Sequence, residues 1–219
     1  MSKLSVDRLI IGFDRALRTI SAQHRSSRPD PDAGIAETGL SDEEKRHAAG
    51  LMRVNHVGEI CAQALYDAQG AFSQTPEVAR ELAHCGIEEE DHLAWTARRL
   101  KELNSRPSLL NPLWYAGAYT CGVIAAKCGD AASLGFVVET EKQVEAHLAG
   151  HLSELPEQDL KSRAIVEQMR VDEISHGATA QSLGASETPL PVRMLMKGMA
   201  RSEEHTSELQ SRSDLVCRL

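Results

Sequence analysis

EEEDHLAW, residues 88–95, decides the fold, because its Glu-x-x-His pair recurs in RVDEISH, residues 170–176. Each pair is preceded by a further glutamate, 30 residues upstream in the first case and 32 in the second. The two sets together are Glu59, Glu89, His92, Glu141, Glu173 and His176. One Glu from each of two helices and Glu-x-x-His from each of two others form the ligand set of a carboxylate-bridged di-iron centre in a four-helix bundle. The repeat therefore predicts two helical hairpins around two metal ions.

The composition agrees with an all-helical fold. Aromatic residues are only 4 % of the 219 residues, and strong helix formers are abundant. Ser41 and Glu44 form a capping box that starts the first bundle helix, and Thr75–Pro76 starts the second. We predict bundle helices over residues 42–73, 76–103, 131–154 and 156–183. The fold class is all-α, a ferritin-like four-helix bundle with additional amphipathic or interfacial helices.

The six repeated residues have the chemistry of metal ligands. Residues i and i+3 share one face of a helix, so each Glu-x-x-His turn can bind one metal. Hard carboxylate oxygens with one imidazole per metal suit iron or manganese better than structural zinc. Two isolated Glu–His pairs on solvated helices are the alternative, but the paired upstream glutamates favour the metal site. Glu88 and Asp172 directly precede the chosen acids and leave the register open.

Several polar residues near the predicted ligands are candidates for orienting them or passing protons. Asn55 and His56 precede Glu59 by about one turn, and His147 follows Glu141 by six residues. We expect His147 to support catalysis from beside the ligands. Each of these residues alone could equally be an ordinary hydrogen-bonding residue of a helix.

The bundle is flanked by segments with an amphipathic or uncharged character. Residues 1–40 contain an amphipathic helix, with Leu9, Phe13, Leu17 and Ile20 at helical spacing, and then a polar linker. Residues 108–126 carry no charge but are too short to span a membrane, so they predict a buried crossover helix or one that dips into a membrane interface. The stretch PVRMLMKGMA, residues 191–200, could lie on a bilayer or cap the bundle. Residues 41–200 form the predicted catalytic domain.

Residues 201–219 require a different explanation. The stretch RSEEHTSELQS, residues 201–211, is what a common sequencing-library adapter encodes when it is read in frame. We therefore interpret residues 201–219 as adapter read-through and leave them out of the fold.

Charge and cysteine content limit the possible partners and cellular location of the protein. A net charge of −8 argues against a nucleic-acid partner, which would need a basic surface. Five cysteines without Cys-x-x-Cys spacing predict reduced thiols in the cytosol. The N-terminal residues lack the features of a signal or transit peptide, so we expect a peripheral position on the cytoplasmic face of a bacterial inner membrane.

The motifs LMRVNHVGEICAQALY, EEEDHLAW, SRPSLLNPLWY, LGFVVETEKQVEAHL and RVDEISHGATA resemble the demethoxyubiquinone hydroxylase family in order and spacing over about residues 40–200. The resemblance implies two iron ions per chain, held by the six residues above, with His147 beside them. It also implies a polyprenyl benzoquinol substrate that is hydroxylated with O₂ on its unsubstituted ring carbon. Peripheral membrane association, contact with other ubiquinone-biosynthesis proteins and a homo-oligomer are further expectations.

Three other functions use similar helical bundles. A ferritin-like protein would oxidise or store iron, a rubrerythrin-like peroxidase would add a four-cysteine iron site, and a quinone-binding bundle would hold no metal. The chain has no cysteine spacing for the second of these. The uncharged segment 108–126 distinguishes it from the first.

Overall fold

The computed structural model describes residues 6–21 and 24–202, with side chains from residue 10 onward. These residues form seven helices. Six are α1 (Val6–Ile20), α2 (Asp42–Phe72), α3 (Pro76–Glu102), α4 (Asn111–Lys127), α5 (Asp130–Glu154) and α6 (Leu160–Ser182). The seventh covers residues 190–202, and no strand occurs in the described ranges. The predicted all-α, ferritin-like fold is confirmed.

The bundle is built from two hairpins joined by one crossover. Helices α2 and α3 pack as the first hairpin and α5 and α6 as the second, while α4 connects them along the side of α2. A single long crossover of this kind is characteristic of ferritin-like bundles. The capping box of Ser41 and Glu44 is present at the start of α2, as predicted.

Two apolar clusters fill the bundle and leave a polar layer between them. One cluster contains Met52, Trp95 and Met169, together with other side chains from the same end of the bundle. The second contains Tyr66, Leu82 and further residues of α5 and α6 at the other end. Since the predicted ligands lie between these clusters along every helix, the metal layer is closed above and below by apolar packing.

Two of the predicted helix starts differ in detail from the structure. Helix α6 begins at Leu160, not at Pro156, because the Asp159 side chain accepts a hydrogen bond from the Ser162 amide and caps the first turn. Thr75 makes no side-chain cap on α3. Its amide donates to Asp130 of α5 instead, at 2.8 Å, so the hairpin connection is tied to the opposite hairpin.

Helix α1 packs on the bundle with a narrow face and exposes most of its apolar side chains. Ala16 and Ile20 contact the cluster around Ile60 and Tyr115. Phe13 is 67 % exposed and Leu17 is also exposed. Of the stripe predicted from the sequence, Phe13 and Leu17 therefore face solvent and Ile20 faces the core, while the Leu9 side chain lies outside the described residues.

Helix α4 is only partly a buried crossover. Gly122 allows close approach to α2, because a Cβ there would lie 2.8 Å from the Ala68 Cβ. The opposite face is open, with Leu113 and Ile124 exposed. Among the described residues, none of the helices has both the length and the apolar character that crossing a bilayer requires.

The predicted adapter-derived tail lies almost entirely outside the described residues, which end at 202. The prediction for residues 201–219 and the domain limits at 40 and 200 therefore stay predictions.

A buried arginine joins the end of α3 to the start of α6. The Arg99 guanidinium donates to Asp159 at 2.8 Å and to Ser162 at 2.9 Å. It also pairs with Glu37 of the linker and with Glu102. Both the Arg99 and the Asp159 side chains are fully buried. This network fixes the linker and two bundle helices relative to one another.

We expect Arg99→Ala to lower the free energy of unfolding by roughly 3–5 kcal/mol, because it leaves the Asp159 carboxylate buried without its partner. Chemical denaturation followed by circular dichroism measures the loss. Arg170→Ala is the matched control, since Arg170 pairs with Glu167 at a solvated position where ion pairs contribute little. Equal effects of the two substitutions would contradict a structural role for the Arg99 network.

Candidate metal centre

The six predicted ligands converge in the polar layer of the bundle. Helices α2 and α5 each contribute one glutamate, and α3 and α6 each contribute a Glu-x-x-His turn. All six side chains are buried: Glu59, Glu89, His92, Glu141, Glu173 and His176. Their donor atoms form two groups that could each hold a metal ion, with donors within 4.8 Å of one another in each group. The structure thus brings the whole predicted set together.

Two of the glutamates reach both groups. Glu89 places one oxygen 3.3 Å from His176 Nδ1 and the other 3.4 Å from His92 Nδ1. Glu173 does the same, with its oxygens 3.4 Å from each of these nitrogens. Glu59 lies beside His92 only, at 3.3 Å. The geometry could therefore hold two metals, with Glu89 and Glu173 able to reach either one and Glu59 and Glu141 each able to reach one, as the terminal glutamates of the set.

The buried acids lack partners that a protein would ordinarily supply. Both carboxylate oxygens of Glu89 and of Glu173, and Oε2 of Glu141, have no hydrogen-bond partner, and neither does His176 Nδ1. Buried polar atoms of this kind are rare in native proteins and demand an explanation. Burying four carboxylates is costly unless cations neutralise them. Two divalent metal ions would satisfy both the orphaned atoms and the charge.

Burial also changes the acid–base properties of the terminal ligands. Loss of water raises the pKa of Glu59 well above its usual value, and the charge of Glu89 adds to the effect. Desolvation, with the charge of Glu173, raises the pKa of Glu141 in the same way. Without metal, these sites bind protons that a metal must displace.

Each histidine is oriented by an acid from the opposite hairpin. His92 Nε2 donates to Asp172 of α6 at 2.9 Å, and His176 Nε2 donates to Glu88 of α3 at 2.8 Å. These bonds hold the proton on Nε2 and leave the Nδ1 lone pair facing the centre. Glu88 and Asp172 were considered above as alternative ligands. In the structure they contact the Nε2 atoms of the histidines, on the side away from the centre, whereas the adjacent residues Glu89 and Glu173 face the centre.

The charge environment of Asp172 shows how firmly its contact with His92 is held. Burial alone would raise the pKa of this carboxyl, but hydrogen bonding to His92 and the neighbouring Arg28 lower it to about 2. Asp172 is therefore ionised throughout the physiological range and remains a hydrogen-bond acceptor for His92.

Tyr66 contacts the metal layer from α2. Its hydroxyl donates a short hydrogen bond to Glu141 Oε1, and its ring lies 5.9 Å from that of His176. Burial raises the pKa of Tyr66 well above 10, and nearby Glu141 contributes. The phenol therefore keeps its proton and fixes the terminal glutamate.

Residues predicted to support the site have separate hydrogen-bond partners. His56 Nδ1 lies 2.9 Å from the Thr96 hydroxyl, which itself donates to the His92 carbonyl. Asn55 bonds to His151 at 2.6 Å. His147 packs against His151, with ring centroids 4.0 Å apart. His147 thus lies in a polar group about 9 Å along α5 from Glu141, given 1.5 Å of rise per residue, and its predicted role stays a prediction.

A small cleft opens beside the terminal glutamate on the side of α2 and α5. Its lining residues are Ala62, Leu65, Tyr66, Gln69, Val137, Thr140 and Glu141. The cleft is mainly apolar and reaches a predicted metal ligand, but it has no room for even a water molecule, so the centre is closed on this side.

Several residues at the site escaped prediction from the sequence. Tyr66 lies seven residues after Glu59, two turns along the same helix face, and that spacing could have identified it. Glu88 and Asp172 were recognised only as alternatives. Arg28, in the linker, gave no local signal, because its partners are 60 or more residues away in the chain.

We expect Glu59→Gln to abolish stabilisation by metal without unfolding the bundle. The substitution keeps the side chain's size and resembles the protonated acid of the metal-free protein, so the metal-free protein should melt at the same temperature or higher. Differential scanning calorimetry with and without Mn²⁺, under anaerobic conditions, measures both effects.

Glu43→Gln, at an exposed position in the first turn of the same helix, should keep the full response to Mn²⁺. At 100 times the dissociation constant, that response is about 2.7 kcal/mol. An undiminished Mn²⁺ response in Glu59→Gln would rule out Glu59 as a ligand.

Comparison with known proteins identifies the family of this chain. The chain is 64 % identical over 196 residues to a 3-demethoxyubiquinol 3-hydroxylase of Herbaspirillum seropedicae, covering 90 % of this chain and 94 % of that protein. Proteins of the same name from Janthinobacterium sp. (strain Marseille) and Burkholderia thailandensis are each 60 % identical, covering 89 % of this chain and 94 % of theirs. The family described as "Ubiquinone biosynthesis protein COQ7" matches residues 46–206. The resemblance noted from the motifs is thereby confirmed, and the chain belongs to the COQ7 family of ubiquinone biosynthesis proteins.

Proposed function

We propose that this chain is a di-iron monooxygenase that hydroxylates the ring of a demethoxyubiquinol with O₂. The observation that carries the proposal is the pair of overlapping ligand groups, in which Glu89 and Glu173 each reach both histidines. The relatives named 3-demethoxyubiquinol 3-hydroxylase support the substrate class. Iron storage and peroxidase activity, which the ligand set alone would also allow, find no support in those names.

The donor set favours iron. Four carboxylates and two imidazoles give a hard, oxygen-rich environment with one nitrogen per metal, which suits Fe(II) and Fe(III). A reduced iron pair supplies the electrons and the site of O₂ reduction needed to insert one oxygen atom into a ring C–H bond. In the overall reaction one oxygen atom becomes the new hydroxyl, and the other leaves as water after two electrons and two protons are added.

The protein's own groups prepare this chemistry in three ways. Apolar clusters on both sides of the metal layer exclude water. The contacts with Asp172 and Glu88 orient the two histidines. The Tyr66 hydroxyl holds Glu141 at the end of the cleft. For a quinol ring to reach the metals beside Glu141, α2 and α5 would have to move apart, because the cleft between them has no room for a ring.

We expect Glu173→Ala to abolish hydroxylation while the helical bundle remains folded, because Glu173 belongs to both ligand groups. The assay is anaerobic loading with Fe(II), incubation with demethoxyubiquinol and exposure to ¹⁸O₂. With the parent protein, mass spectrometry should show a quinol product that carries one ¹⁸O atom. Metal analysis of the same protein should give about two irons per chain.

Glu167→Ala, on an exposed part of the same helix, serves as the control and should retain both iron and turnover. Two irons without product in the parent chain would leave a di-iron protein of another activity. Full turnover in Glu173→Ala would contradict the ligand assignment.

The exposed apolar side chains support a peripheral position on the cytoplasmic face of a bacterial inner membrane. Besides Phe13 and Leu17 of α1 and Leu113 of α4, the helical residues 190–202 expose Met194 and Leu195. Helices α1 and α4 are in contact, so these exposed apolar side chains lie on neighbouring helices. Such a surface can enter the headgroup region, where a polyprenyl substrate resides.

We expect Phe13→Glu to weaken binding to vesicles of phosphatidylethanolamine and phosphatidylglycerol, because it replaces the exposed apolar ring of α1 with a charge. Co-sedimentation measures the bound fraction. Ala146→Glu, at an exposed position of α5, adds the same charge elsewhere and should bind like the parent. Equal loss in both variants would indicate a general charge effect and contradict the assigned surface.

A further inference from the structure

A short segment of the polar linker is anchored directly over the metal layer. Asp91 of α3 accepts hydrogen bonds from Ser26 Oγ at 3.1 Å and from Arg28 Nε at 2.6 Å. It also accepts from the Ser27 amide at 2.5 Å. Trp95 Nε1 donates to Ser26 at 3.0 Å, and the Arg28 guanidinium lies 4.9 Å from the Trp95 ring centroid. Residues 26–28 are therefore held at a defined position across α3.

This anchor brings Arg28 to both of the acids that orient the histidines. Arg28 Nη2 lies 2.9 Å from Asp172, which accepts the hydrogen bond from His92. Arg28 Nη1 lies 3.6 Å from Glu88, which accepts the bond from His176. One guanidinium thus contacts both Asp172 and Glu88, which we call the outer acids. Each outer acid contacts one ligand histidine, so a single side chain separates Arg28 from each imidazole.

We propose that Arg28 is a positioning residue for the two-metal centre, on which it acts by holding Asp172 and Glu88 against the ligand histidines and by placing its positive charge beside them. The inference rests on the proposed function only in that the six ligands hold iron. Residue 28 lies upstream of the family match at 46–206.

Two physical effects of Arg28 act in the same direction. A positive charge beside Asp172 and Glu88 reduces their pull on the imidazole protons, which makes the imidazoles weaker donors to the metals. The same charge disfavours the more positive ferric state directly. Both effects raise the reduction potential of the iron pair, and the fork of the guanidinium suits two acids at once where an ammonium group would not.

The test is a set of anaerobic redox titrations of the iron-loaded full chain, followed by Mössbauer spectroscopy, with no substrate present. Arg28→Gln should lower the midpoint potential, with the ferric-to-ferrous ratio at a fixed potential rising about tenfold, which equals about 59 mV for a one-electron step. Asp172→Asn should shift the potential upward, because it removes a negative charge and weakens the acceptor for His92.

Opposite shifts distinguish this role from a structural one. If Arg28 only anchored the linker, both substitutions would loosen the site alike, and the potential would not move in opposite directions. Arg28→Lys keeps the charge but cannot contact both acids, so it should recover only part of the shift. Arg25→Gln, at an exposed position in the same linker, is the matched control and should leave the potential unchanged.

Each outcome bears on the proposal separately from the function. Parent protein that binds no iron would refute the proposed function, whereas parent protein that binds iron and hydroxylates the quinol establishes it. In that active protein, an unchanged potential in Arg28→Gln, or a shift of the same sign as in Asp172→Asn, would overturn the role of Arg28 alone. A lower melting temperature with an unchanged potential would also overturn it.

Discussion

The structure depends on the burial of four carboxylates and two imidazoles in one layer of a helical bundle. A protein interior does not accommodate such a layer without compensation, because each ionised acid loses its hydration. Several carboxylate oxygens of the layer have no hydrogen-bond partner within the protein, so the helices themselves do not provide the compensation. The remaining features of the fold either supply charge to this layer or keep water from it.

The two hairpins compensate one another across the bundle axis. Asp172 of the second hairpin accepts from His92 of the first, and Glu88 of the first accepts from His176 of the second. Glu88 directly precedes the predicted ligand Glu89, and Asp172 directly precedes Glu173. One turn of each helix therefore supplies a predicted metal ligand and also a hydrogen-bond acceptor for a histidine of the opposite hairpin. This exchange binds the halves together at the point where mutual repulsion of the buried acids is greatest.

The sequence was sufficient to predict the bundle, its hairpin order and the convergence of six ligand candidates, because these depend on helical periodicity and on spacing repeated within one chain. It was less informative where a contact is distant along the chain. The start of α6 was wrong by four residues, since Pro156 suggested a helix start but the Asp159 cap determines it. The contacts of Arg28 with α3 and α6 could not be read from local pattern. Which face of α1 is exposed likewise depends on its tertiary contacts with α2 and α4, and these contacts have no local sequence signal.

These contacts give the metal layer two unlike sides. On the side of α3 and α6, residues 26–28 cover the outer acids and place a positive charge beside them. On the side of α2 and α5, mainly apolar side chains close the layer next to Tyr66 and Glu141. An approach from the linker side would have to displace an arginine paired with three acids, whereas an approach between α2 and α5 would have to part mainly apolar side chains. The two sides therefore differ in polarity, and an apolar molecule would meet fewer charged groups between α2 and α5 than at the linker.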